Sequence, residues 1–159
     1  MKRQMGHWFL VLACVVGCGS RTAGPGPGQE TAALGAEQAT AMCVRLHEQG
    51  AACLEPFAEL LLELRATHDP RFAGMMSDPA QAEALRQAVR QETLADGTGP
   101  LEARTQRCAE YATSGPPVPA SDPATLESCY ALADCPQRVT CMRPVLEQRF
   151  KQRAARAEH

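Results

Sequence analysis

The residues with most chemical potential are cysteines: eight in a chain of 159, at positions 14, 18, 43, 53, 108, 129, 135 and 141. As thiolates they could hold a metal, relay electrons or attack a substrate. Cys43 and His47 stand at i and i+4, so one helical turn could present both to zinc. Zinc pairs usually come as Cys-x2-Cys or His-x3-His, and neither spacing occurs. A Cys-x2-Cys-His haem attachment and a thioredoxin-like Cys-x2-Cys are equally missing. The expectation is therefore no metal and no cofactor. Cys43, Cys53, Cys108, Cys129, Cys135 and Cys141 make an even set of six, which three disulfides would satisfy in an oxidising compartment. Fifteen pairings exist. A helical hairpin turning at Gly50 would pair Cys43 with Cys53, and one turning at Asp134 would pair Cys129 with Cys141. Cys108 and Cys135 remain for each other.

Other reactive side chains are sparse. Beyond the first twenty residues the bases are His47, His68 and His159, none within a Gly-x-Ser-x-Gly or similar nucleophile setting. His47 reads as a surface residue. Thr67-His68-Asp69-Pro70 reads as a helix end, where an imidazole suits the negative dipole. Glu55, Glu59 and Glu63 could serve as acid/base groups or metal ligands, but a recurrence every fourth residue is the pattern of a solvated helix face. Arg149, Arg153 and Arg156 form a basic row that could meet phosphate or lipid head groups, but it reads rather as facing the acidic row of segment two or complementing its own helix terminus. Phe72-Ala73-Gly74-Met75-Met76 reads as an apolar loop. Phe72, Met75 and Met76 would plug the core there or offer an adaptable partner contact. No active-site constellation emerges, and an enzyme is not expected.

The elements that would position these residues read as helices. Segment one spans Gln38 to Glu48, ended by Gly50. Segment two starts near Cys53 and runs from Phe57 to Thr67, with Phe57, Leu60, Leu61 and Leu64 on one stripe. Segment three opens with Ser77-Asp78-Pro79-Ala80, Asp as cap and Pro as first helical residue, and stops at Asp96-Gly97. Segment four, Leu101 to Ala112, would place Leu101, Cys108 and Tyr111 on one face. Segment five repeats the starter as Ser121-Asp122-Pro123-Ala124 and runs to Leu132. Segment six begins at Cys135-Pro136 and turns Val139, Met142, Leu146 and Phe150 inward. Pro144 should kink or split it, because proline cannot donate to the carbonyl four residues back. Strand-like alternation is missing throughout. The fold class is all-α: a small disulfide-stapled bundle of five to six short helices. Aromatic bulk is scarce, so the bridges would supplement a thin core. Cys53-Leu54-Glu55-Pro56 also echoes Cys141-Met142-Arg143-Pro144, a weak hint of two stapled hairpins.

Composition places the chain. A net charge of -2 and a pI near 6.1 argue against nucleic-acid binding. Lys2 and Arg3 precede an apolar run from Trp8 to Val16, too short to span a bilayer and shaped like an export signal. Val15-Val16-Gly17-Cys18 resembles the lipobox of bacterial lipoproteins. That resemblance implies a mature chain starting at acylated Cys18 and anchored in a bilayer. A rival box at Val11-Leu12-Ala13-Cys14 leaves a shorter apolar core and an odd cysteine count. Gly19 rather than Asp after Cys18 resembles the outer-membrane default. The expected organisation is a lipoprotein signal at 1–17, a lipidated Cys18 with a Gly/Pro-rich tether through 38, and a helical domain at 39–158.

Asp134-Cys135-Pro136-Gln137-Arg138-Val139-Thr140-Cys141-Met142-Arg143-Pro144, with the lipobox, resembles small cysteine-rich lipoproteins of myxobacterial type. Thirteen arginines against Lys151 alone after the signal fit a GC-rich genome of that kind. The resemblance implies an address in the cell envelope and no activity. The expected function is a non-enzymatic outer-membrane lipoprotein that binds another envelope protein, as a pilotin or an immunity-type inhibitor does. The alternatives are a small periplasmic hydrolase with an unrecognised site and a purely structural surface lipoprotein.

Overall fold

A computed structural model of the protein describes residues 32–157. The signal, both candidate lipobox cysteines (Cys14 and Cys18), most of the tether and His159 lie outside the described residues. Among the described residues seven helices follow one another: α1 (Ala36–Ala52), α2 (Leu54–His68), α3 (Pro70–Met76), α4 (Pro79–Thr98), α5 (Leu101–Ser114), α6 (Asp122–Tyr130) and α7 (Cys135–Ala157). The fold is all-α and held by three disulfides. Among the described residues the sole β-type pairing is an isolated bridge between Ala33 and Pro119. No helix there is long and apolar enough to cross a membrane.

Helix α2 is the hub because its sequence, LEPFAELLLELRATH, is apolar over most of its circumference. Phe57, Leu60 and Leu64 enter one core with Leu126, Tyr130, Val139, Met142 and Leu146 from α6 and α7. Ala58 and Leu62 enter a second with Phe72 and Val89 from α3 and α4. Leu61 sits between them and touches both. What remains of α2 is the acidic row, exposed as its spacing predicts. That row is occupied by ion pairs: Arg90 with Glu55 at 2.6 Å, and Arg143 with Glu63 through both oxygens. Helix α1 packs on α4 and α5, and α6 packs on α7.

Two glycines read as helix stops fall inside the last turn of their helices, and each is also a contact point. Helix α1 runs through Gly50 to Ala52, and α4 runs through Gly97 to Thr98. Each glycine lies where a neighbour comes closer than any side chain permits. A Cβ on Gly50 would stand 2.5 Å from Phe57 Cε1; one on Gly97 would collide with the Ala51 Cβ and stand 2.5 Å from the His47 carbonyl oxygen. The spacing of α1 against α2 and α4 thus outweighs the roughly 1 kcal/mol that glycine costs inside a helix.

Other boundaries differ for equally local reasons. The segment read as an apolar loop, 72–76, belongs to α3, which Asp69 caps by accepting from the Arg71 and Phe72 amides at 2.9 and 3.3 Å, with Pro70 first. Asp69-Pro70 is the same cap signal as Asp78-Pro79. The folded body begins before residue 39: the Leu34 amide donates to the Val118 carbonyl at 2.8 Å, and the Ala120 amide to Ala32 at 2.7 Å. Helix α7 continues through Pro144 without a break. Thr140, whose carbonyl loses its donor there, is exposed to water. Leu101, at the first turn of α5, is 60% exposed, although buried Cys108 lies two turns further along the same face.

Candidate functional site

The cysteine pairs differ from the hairpin expectation. Cys43 bonds Cys108, Cys53 bonds Cys135 and Cys129 bonds Cys141. Only the last joins residues that the spacing argument pairs. Cys43–Cys53 is sterically closed, because α1 does not turn at Gly50. Ten residues along a helix separate the two by about 15 Å, whereas bridged Cα atoms lie 5.3 to 5.7 Å apart here. Cys108–Cys135 fails with it. The bridges instead tie α1 to α5, the α1–α2 junction to the start of α7, and α6 to α7.

Cys43, His47 and Cys108 do come together, with their ligand atoms within 4.8 Å of one another. The two sulfurs are bonded to each other, so the trio offers no thiolate for zinc unless that bridge is reduced. His47 is half-buried rather than a surface residue, its Nδ1 lying 3.9 Å from Asp96 Oδ2. Burial pushes its pKa down, and the attraction of Asp96 only partly offsets this. His68 ends α2, as its sequence context predicts, and stacks on Phe150 with ring centroids 6.3 Å apart.

The apolar trio divides. Phe72 is buried in the second core, Met76 packs against it, and Met75 alone of the three is exposed, at 38%. Phe72 is therefore closed to any partner. The basic row on α7 meets neither the acidic row nor one common ligand. Arg149 is buried against Asp122 on α6, 3.3 Å away. The Arg153 guanidinium lies over the Tyr111 ring at 5.6 Å. Arg156 donates to the Gly115 carbonyl at 2.8 Å, closing the C-terminal end of α5.

Between α1, α2, α4, α5 and α7 lies a cavity of about 280 Å³. Its walls are mostly apolar: Met42, Leu46, Phe57, Leu61, Leu146 and Phe150. The Cys43–Cys108 bridge and His47 form one side. Arginines 65, 104, 107, 149 and 153 surround it, against the acids Glu92 and Asp96. Arg65 pairs with Glu92 at 2.8 Å and Arg107 with Asp96 at 2.9 Å. Arg104 pairs with Glu48 outside the cavity at 2.9 Å. Sequence reasoning did not find this cavity. Its walls come from five helices, and no short window contains more than a fraction of them. The single trace in the sequence is Arg149, which falls three residues after Leu146 on the inward stripe of α7. No protein-family model, curated protein or solved structure matches the chain.

Proposed function

We propose that the protein is an exported lipoprotein, anchored through acylated Cys18 to the outer membrane, whose helical body binds another envelope protein without catalysis. The observation that carries this reading is the pairing of all six body cysteines, which suits a chain folded in an oxidising compartment. The contacts of the acid and base candidates support the non-enzymatic part. Glu55 and Glu63 serve ion pairs, His47 faces Asp96, and His68 stacks on Phe150. The lipobox and the tether supply the anchoring half from sequence, and the resemblance to myxobacterial lipoproteins agrees with it.

In-cell crosslinking followed by capture of the membrane-anchored protein tests the reading. A secretin subunit recovered in stoichiometric amount supports a pilotin-like role, and a toxin supports an immunity-type role. Recovery of neither, together with hydrolytic turnover by the purified protein, overturns it in favour of an enzyme. Fractionation tests the anchor separately. Cys18→Ser should release the protein from membranes or leave it as uncleaved precursor, whereas Cys14→Ser should leave it membrane-bound. Loss of anchoring in Cys14→Ser alone would move the lipidation site.

A further inference from the structure

The cavity beside the Cys43–Cys108 bridge carries two polar groups that a purely structural void does not explain. Arg149 is 6% exposed, yet among the described residues its side chain makes one hydrogen bond, the 3.3 Å contact from its terminal nitrogen to Asp122, and its Nε has no partner there. Thr93 is 3% exposed and its Oγ1 has no partner among the described residues either. Both residues line the same cavity. A guanidinium has five donors in a planar fork suited to a carboxylate, and leaving buried donors unpaired costs free energy. An incoming anion would recover it.

The apolar walls limit the rest of that ligand. At the ~30 Å³ that a water-sized group occupies in a liquid, the space holds about nine such groups. Fixed dipoles and cations in mostly apolar surroundings favour a ligand with one charged end and one greasy end. Of the surrounding cations, Arg65, Arg104 and Arg107 already have carboxylate partners at 2.8 to 2.9 Å. Arg153 has none among the described residues, and rests on Tyr111 at the same cavity. The excess charge is therefore positive and lies on α7, beside the under-used fork of Arg149.

We propose that this cavity binds a small amphipathic monocarboxylate. The apolar body would lie among Met42, Phe57, Leu61 and Leu146, and the carboxylate would accept from the Arg149 guanidinium with Thr93 as a second donor. This property belongs to the helical body and is separate from the anchoring and partner reading.

Titration of the oxidised protein with octanoate, octanol and octylamine, followed by calorimetry and by the methyl resonances of Leu46, Leu61 and Leu146, tests it. Octanoate should saturate and shift those methyls. Octanol and octylamine, with the same tail, should bind at least tenfold more weakly. The double variant Arg149→Gln with Asp122→Asn strands no charge and should lose the preference for octanoate over octanol. Arg153→Gln should lower octanoate affinity only a few-fold. The proposal is overturned if millimolar octanoate leaves those methyls unmoved, or if octanol binds the unmodified protein as tightly as octanoate. It is equally overturned if the folded double variant still prefers the acid. The comparison of the three ligands on the unmodified protein decides the matter even if that variant fails to fold.

Discussion

Ser77-Asp78-Pro79-Ala80 and Ser121-Asp122-Pro123-Ala124 are the same four residues, and a helix starts at each. In the first, Asp78 caps α4 as its local chemistry directs. Its Oδ1 accepts from the Ala80 and Gln81 amides at 2.9 and 3.2 Å on an exposed surface. In the second, Ser121 takes the cap position in helical geometry with no side-chain cap, and Asp122 becomes the first helical residue. Its carboxylate is buried and faces Arg149. The difference lies in what precedes each copy. Ser77 follows α3 at the surface, whereas the chain before Ser121 is pinned by the Ala32–Leu34 pairing and delivers Asp122 against α7. One tetrapeptide thus starts a helix twice, but its aspartate is a surface cap in one place and an interior ion in the other.

The largest expected effect separates the two helices by what holds them. Helix α6 is stapled to α7 through Cys129, while α4 contains no cysteine. Loop-closure arithmetic assigns about 4 kcal/mol to each of the two long bridges and about 3 kcal/mol to the short one. Together they rival the ~5–15 kcal/mol total stability of a domain. Full reduction should therefore unfold the body, measured by loss of the cooperative thermal transition. Nuclear magnetic resonance of the reduced chain should still find residual helix over 79–98, which is long, alanine-rich and capped. None should remain over 122–130. Equal residual helix in both would mean that α6, too, is locally specified.

Second in size is Arg149→Met, which removes the cation facing Asp122. Breaking a buried pair from one side costs about 3 kcal/mol at the low end, which applies because Asp122 can take up a proton. Chemical denaturation should report that loss. The starter of α4 has no such dependence on a distant residue. If the loss is negligible, Asp122 is not held by Arg149 and the contrast between the two copies fails.

Third, Gly97→Ala probes the far end of α4. Helix propensity alone favours the substitution, but the new methyl would meet Ala51 and the His47 carbonyl on α1. Overpacking of this kind costs about 2 kcal/mol. A stabilised variant in thermal melts would show that α1 and α4 can separate cheaply, and that the cavity between them is soft.

The smallest effect is a pair of opposite pH slopes. Backbone hydrogen bonds from Gln81 and Ala80 hold the Asp78 carboxyl below the usual carboxylate range. Its contribution is complete above about pH 4 and disappears as pH falls through the depressed value. Burial raises the Asp122 carboxyl, and the attraction of Arg149 does not fully cancel this. Its contribution is therefore complete below about pH 4 and declines as pH rises through the raised value. Measured against Asp78→Asn and Asp122→Asn, the stability difference should climb with pH for the first and fall for the second. The same sign for both would remove the electrostatic distinction.

Legibility followed the range of the physics. Asp78-Pro79, the acidic row and the inward residues of α7 were readable because caps and helical periodicity act within a few residues. Helix α3 carried the same Asp-Pro signal at 69–70, yet its short apolar stretch reads as a loop without the core that Phe72 fills. The cysteine pairs were not readable, because pairing depends on which helices touch. The mistaken turn at Gly50 propagated directly into Cys43–Cys53.

The sequence by itself determined an all-helical chain, most of its helix starts, its exposed acidic face and an even set of six cysteines, since these follow from local propensity, period and count. The tertiary structure alone decided that Gly50 and Gly97, near the ends of their helices, are also contact points, that Cys43 meets Cys108, and that Asp122 is buried against Arg149, which borders an apolar cavity. The physical reason is that contact between helices depends on distances across the bundle, and residues 27 or 65 positions apart leave no periodic trace of their meeting.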